Sequence, residues 1–160
     1  MPSNDTSTVD GTQPSLPYVA ARLDRVVRQQ VDLAIRNLGV SVTQYTVLSL
    51  LARQPGLSSA QLARRAYVSP QSMNETLLTL ETTDAVRRQP DPHHRRILRA
   101  RLTAKGRRLV SKCDENVAAV ESAMTAGMSK QEEKNLRDLM VHAVRNLGGG
   151  FPIRPPVESA

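Results

Sequence analysis

Arginine and histidine crowd one short stretch of this chain, Asp91-Pro92-His93-His94-Arg95-Arg96-Ile97-Leu98-Arg99-Ala100-Arg101-Leu102-Thr103, with Arg87-Arg88 before it and Arg107-Arg108 after it. Guanidinium groups at this density do one kind of chemistry well: they hold phosphate or carboxylate oxygens through paired N–H donors. From Arg87 to Arg108 stand eight Arg and one Lys against a single Asp, a local net charge of +8 in a chain whose total is +7. The rest of the chain therefore sums to −1. The positive charge is placed rather than spread, and it implies a polyanionic partner, either nucleic acid or an anionic membrane surface.

Other chemistries lack their residues. One cysteine, Cys113, allows neither an intrachain disulfide nor a cysteine zinc cluster. Its phase on an apolar helix face reads as a small buried hydrophobe. His93 and His94 are adjacent, and adjacent side chains on a strand diverge; with only His142 elsewhere, no metal site is expected. No glycine-rich phosphate loop and no nucleophile–base pair is visible. The chain is therefore expected to be neither an enzyme nor a holder of a cofactor. Without a bilayer-length apolar run or a secretory signal, a cytoplasmic protein is expected.

The elements that must carry the basic stretch follow from periodicity and caps. Over 16–38, Leu16, Val19, Leu23, Val26, Val27, Ala34 and Leu38 recur at helical spacing, and Gly39 ends the run. Ser41-Val42-Thr43-Gln44 and Ser58-Ser59-Ala60-Gln61 are capping-box patterns opening two further helices around the turn Gln54-Pro55-Gly56. Val68-Ser69-Pro70 supplies a cap and a first-turn proline for a helix to about Thr82, with Met73, Leu77 and Leu80 inward. Segments 85–89 and 97–102 read as a β-hairpin closed by the arginine-rich turn. Thr103 caps a long helix, and Ser129-Lys130-Gln131-Glu132 opens the last one, which Gly148-Gly149-Gly150 stops. Four aromatic residues and no Trp leave Leu, Val, Ala and Met to build a helix-on-helix core. The expected fold is mainly α, a winged helix-turn-helix with N- and C-terminal dimerisation helices. Its expected divisions are a disordered tail at 1–15, one domain at 16–150 and a disordered tail at 151–160. Within the domain, 41–103 is the winged core, and 16–38 and 104–148 are the dimerisation helices.

The ordered set of local patterns resembles the multiple antibiotic resistance regulator (MarR) family. The residues that carry the resemblance are Ser41-Val42-Thr43-Gln44-Tyr45-Thr46-Val47-Leu48, Pro55 to Ala63, Val68-Ser69-Pro70-Gln71-Ser72-Met73, Leu80-Glu81, Val86-Arg87-Arg88, Asp91-Pro92, Arg95-Arg96 and Leu102-Thr103-Ala104-Lys105-Gly106. Two positions depart from that pattern. Asp84 stands where a Gly is common between recognition helix and wing, and His94 stands where an Asp usually precedes the wing-tip arginine. Asp tolerates the left-handed conformation, so the turn at 84 survives the change.

The resemblance implies a dimeric regulator, usually a repressor, that binds a pseudo-palindromic double-stranded DNA operator and is released by a small aromatic or phenolic effector. Arg95 is then the wing-tip residue in or beside a minor groove, and Arg87, Arg88, Arg96 and Arg99 are phosphate contacts. On the recognition helix Ser69, Pro70, Gln71, Ser72, Asn74 and Glu75 face outward if Met73 and Leu77 face in, and amide side chains such as Gln71 and Asn74 can read adenine. Tyr45, Arg22 and Arg25 are the candidate effector linings. Amphipathic helices flanking the roughly 70-residue winged core predict a two-fold homodimer. Two other readings stand beside this one: a non-specific architectural nucleic-acid-binding protein, and a winged-helix module that recruits a protein. The scarcity of stacking aromatics disfavours the first, and the +8 wing the second.

Overall fold

The computed structural model describes residues 13–150. The expected disordered tails fall outside them, except for exposed residues 13–15 leading into the first helix. Six helices and a small sheet follow: α1 (Leu16–Ile35), α2 (Val42–Arg53), β1 (Leu57–Ser58), α3 (Ser59–Ala66), α4 (Pro70–Thr82), β2 (Val86–Pro90), β3 (Leu98–Leu102), α5 (Ala104–Met124) and α6 (Lys130–Asn146). A single 3₁₀ turn, Arg36–Leu38, extends α1 and ends on Gly39 at φ +69°. The fold is a mainly α winged helix-turn-helix.

The helix starts follow the capping residues. Ser41, Ser58 and Ser129 each form a complete capping box, with both reciprocal bonds to Gln44, Gln61 and Glu132. Ser69 caps α4 through the N–H of Ser72, and Thr103 caps α5 through that of Gly106. Such caps satisfy backbone donors that a helix start otherwise leaves unpaired. Asp84 adopts φ +56°, so the residue standing in a glycine's usual place takes the left-handed turn between α4 and β2.

The strands form an antiparallel sheet in the order β1-β3-β2, with Val86 opposite Leu102 and Pro90 opposite Leu98. The sequence did not suggest β1. Its two residues pair Leu57 with Ala100 and Ser58 with Arg99, tying the entrance of the helix-turn-helix to the base of the wing. One core joins these parts: Ile35, Val47, Leu48, Leu51, Leu62, Met73, Leu77, Ala85, Ala100 and Cys113 are all at most 1% exposed. Gly106, in the first turn of α5, lies so close to Ala85 that an added Cβ would sit 2.0 Å from its carbonyl oxygen. The α5–wing junction therefore admits no side chain at that point.

Helix α6 differs from the rest. None of its residues is buried, and Leu139 and Leu147 are 67% and 89% exposed. A cavity of about 570 Å³ separates it from α1 and α5, lined among others by Val27, Val31, Val120, Leu136 and Met140.

Candidate nucleic-acid interface

The site is built on α4 and the β2–β3 hairpin. In α4, Met73, Leu77 and Leu80 are buried, which fixes the helix roll and turns Ser69, Pro70, Gln71, Asn74 and Glu75 outward, with Ser72 half-buried beside them. Four of these side chains already have internal partners, through three bonds. Ser69 Oγ accepts the Ser72 N–H at 3.1 Å, Gln71 Nε2 donates to Glu75 at 3.3 Å, and Ser59 Oγ donates to Asn74 Oδ1 at 2.7 Å. The Gln71–Glu75 pair means that the outward carboxylate is held beside an amide, one turn along the same face. The Ser59–Asn74 bond leaves the Asn74 amide N–H₂ free to donate.

The hairpin sorts its arginines into two groups. Arg95 and Arg96 stand exposed in the loop between β2 and β3. Arg87, exposed on β2, lies 3.9 Å from the equally exposed Asp84, a pair of little strength in water. Arg88 and Arg99, both assigned to phosphates from the sequence, are engaged by carboxylates of the same chain. Arg88 points to the helix side of the sheet and donates to Glu81 of α4 at 2.5 Å, holding that carboxylate below its ordinary pKa. Arg99 donates through Nε to Asp91 at 2.7 Å. Strand alternation sends neighbouring side chains to opposite faces, so Arg87 and Arg88 could not both reach one surface.

Asp91 is the buried acid of the loop, 8% exposed. Besides Arg99, the backbone N–H groups of His93 and His94 donate to it at 2.8 and 3.0 Å. These three donors, Arg99 first, hold its pKa down to about 2.

Sequence reading missed two residues here. Arg101 is exposed on β3 directly opposite Arg87, and its guanidinium rests against Gly56. The two like charges share the rim of a cavity of about 280 Å³ with Gln89, Leu102, Thr103 and Ala104. Cross-strand register is the signal that would have found it. Tyr67, 79% exposed, closes α3 in the left-handed conformation (φ +54°) just before the α4 cap, a strained place for a bulky side chain. An aromatic residue in the turn between two capped helices is its signal in sequence.

The structure does not bring the three candidate effector residues together. Arg22 and Arg25 border a groove of about 680 Å³ along α1, with Tyr18, Ala21, Val26 and Gln29. Tyr45, half-buried on α2, instead donates to Asp114 of α5 at 2.7 Å. Burial first and the Asp114 carboxylate second push its pKa up to about 12. The separation arises because α1 packs on α5 through its C-terminal half, at Val31 and Ile35, while Arg22 and Arg25 lie on the exposed half.

Comparison with known proteins matches residues 38–97 to the MarR family model. The HTH-type transcriptional repressor Rv2887 of Mycobacterium tuberculosis is 35% identical over 125 residues, covering 78% of this chain and 90% of the relative. The chain belongs to the MarR family. This is a family of transcription regulators rather than enzymes. Crystal structures of Rv2887 align over most of both chains. Its complex with DNA has a TM-score of 0.69 at 32% identity, covering 86% of this chain and all of the other. Its complex with p-aminosalicylic acid has a TM-score of 0.70 at 33% identity, covering 85% and 100%.

Proposed function

We infer that this MarR-family chain is a sequence-specific, dimeric DNA-binding transcriptional repressor, released by a small aromatic carboxylate or phenolic effector. One observation carries the reading: the polar face of α4 and the exposed arginines of the wing loop stand on a common, rigid core. Helix α4 enters the major groove, where Gln71, Asn74 and Glu75 meet base edges, Ser69 and Ser72 meet phosphate or base edges, and Pro70 meets apolar surface. Arg95 enters the neighbouring minor groove, while Arg96, Arg87 and Arg101 neutralise phosphates. A phosphate beside Arg87 and Arg101 would relieve the repulsion of two like charges paired across strands.

The dimer forms through α1, α5 and α6, whose apolar faces the single chain leaves uncovered. Its two-fold axis sets a pseudo-palindromic operator, with half-sites about one helical turn apart. The α1 groove with Arg22, Arg25 and Tyr18 suits an aromatic carboxylate, which guanidinium and aromatic groups hold together, and a second chain would supply its missing wall. The proposed site of action is the cytoplasm.

Fluorescence anisotropy tests the reading, with a duplex from upstream of this chain's own gene beside a scrambled duplex, at two salt concentrations. A preference of about a thousandfold is expected for the first duplex, with most of it lost in Arg95→Ala. Equal and steeply salt-dependent binding to both duplexes would instead indicate a non-specific architectural protein.

A further inference from the structure

Arg99 stands where the wing meets the recognition unit, and its guanidinium has three acceptors from two separate segments. Nε donates to Asp91 Oδ2 at 2.7 Å, while Nη1 donates to the Gly56 carbonyl at 3.3 Å and to Gln61 Oε1 at 3.2 Å. Each acceptor is itself fixed. Asp91 holds the N–H groups of His93 and His94, the two residues immediately before Arg95. Gln61 Oε1 accepts the Ser58 N–H at 2.9 Å, completing the capping box that starts α3. Gly56 donates its own N–H to Ala100 of β3 at 2.9 Å. From α3 the path runs on to α4 through Ser59 and Asn74. Arg99 thus joins the wing tip to α3, and through Ser59 and Asn74 to the recognition helix, in addition to the Arg88–Glu81 tie between β2 and α4. The strand register ends at Pro90 opposite Leu98, and beyond it the backbone bonds from Asp91 to Ile97 and from Ile97 to His94 close the loop on itself without reaching α3.

We propose that Arg99 is a positioning residue that fixes the wing tip relative to the recognition helix, and so governs operator-specific affinity without touching DNA. The proposal rests on the DNA-binding reading above. Specific binding requires α4 and Arg95 to meet two grooves at once, so a wing already in place spares the cost of ordering it during association. Non-specific binding depends mainly on how many cations meet phosphates and is indifferent to where the wing tip stands. Only a planar fork donates in both directions here. Lysine would keep the charge but lose the geometry.

The test is Arg99→Lys, measured on the operator duplex and on a scrambled duplex across a salt series. Operator affinity falls about tenfold as the pre-organised wing is lost, while scrambled-duplex affinity and both salt slopes stay at their wild-type values. Arg99→Gln gives the same pattern. If Arg99 contacted a phosphate, Arg99→Lys would bind nearly as well as wild type, and Arg99→Gln would lower the salt slope by about one on both duplexes; that result overturns the proposal. Amide hydrogen exchange on the DNA-free protein gives an independent readout. His93 and His94 exchange faster in Arg99→Lys while the α4 amides keep their protection; unchanged His93 and His94 exchange would refute the joint. Because exchange needs no DNA, a wild-type protein that bound neither duplex would count against the functional reading and leave the joint tested on its own.

Discussion

The winged half of the molecule and its outer helices are built to different degrees of self-sufficiency. Between Val40 and Cys113 the chain largely closes on itself: most apolar side chains are buried, with Tyr67 and Leu78 among the exposed, and most helix starts are capped. Its one buried carboxylate, Asp91, has three donors. In α6 and the first half of α1 the helices are equally well formed, yet Leu16, Val19, Val26, Leu139 and Leu147 lie open to solvent. Local helix signals are therefore as strong outside the winged core as within it. What differs is whether the apolar face meets a partner among the described residues; for the outer helices the proposed dimer would supply one.

The largest expected contrast comes from truncating one leucine in each half. Leu62, fully buried in α3, should cost about 2–5 kcal/mol when changed to Ala, since both transfer energy and packing are lost. Leu139→Ala, on the exposed α6, should shift chain stability by no more than about 0.5 kcal/mol while weakening the dimer. Urea unfolding together with sedimentation across protein concentration checks both. If Leu139→Ala left a dimer of unchanged affinity, α6 would not be part of its seam.

A second prediction concerns the seam between the halves. Gly106→Ala drives a methyl group into the Ala85 carbonyl, and only backbone movement can make room for it. A cost of about 1–3 kcal/mol is expected, the range for overpacking a filled site, read from the urea midpoint. The change should also disturb Thr103, whose hydroxyl donates to Asp84 and accepts from Gly106, and with it the angle at which α5 leaves the wing.

Helix positions were legible in the sequence because caps and apolar spacing are local. Ser41, Ser58, Ser69, Thr103 and Ser129 each announce their helix within four residues. The outward face of α4 was legible for the same reason. Two features of the site were not. Strand β1 is two residues long, and its partner Ala100 lies more than forty positions away, so no local pattern marks it. The roles of the arginines were equally hidden. Arg87, Arg88, Arg95, Arg96 and Arg99 look alike in a string, but face alternation and the acceptors at Glu81, Asp91, Gly56 and Gln61 divide them into free and engaged groups. The candidate effector trio failed for a related reason: residues on two different helices share a pocket only if the packing angle allows it, and helical periodicity says nothing about that angle.

Tyr45 tests whether the two halves are coupled, and the effect is the smallest. Its hydroxyl joins α2 of the winged half to α5 of the outer one through Asp114. A half-exposed bond of this kind contributes about 0.5–1.5 kcal/mol, which Tyr45→Phe should remove below pH 9. The sign of its pH dependence follows from the folded pKa of about 12 against an ordinary value of 10.0. Because folding favours the protonated phenol, this stability is fully present below pH 10 and is lost as pH rises from there to about 12. The wild type should therefore lose more stability over that interval than Tyr45→Phe. Parallel alkaline curves for the two proteins would mean that the phenol titrates alike in the folded and unfolded chain, and that the Tyr45–Asp114 bond adds nothing to the packing that joins the halves.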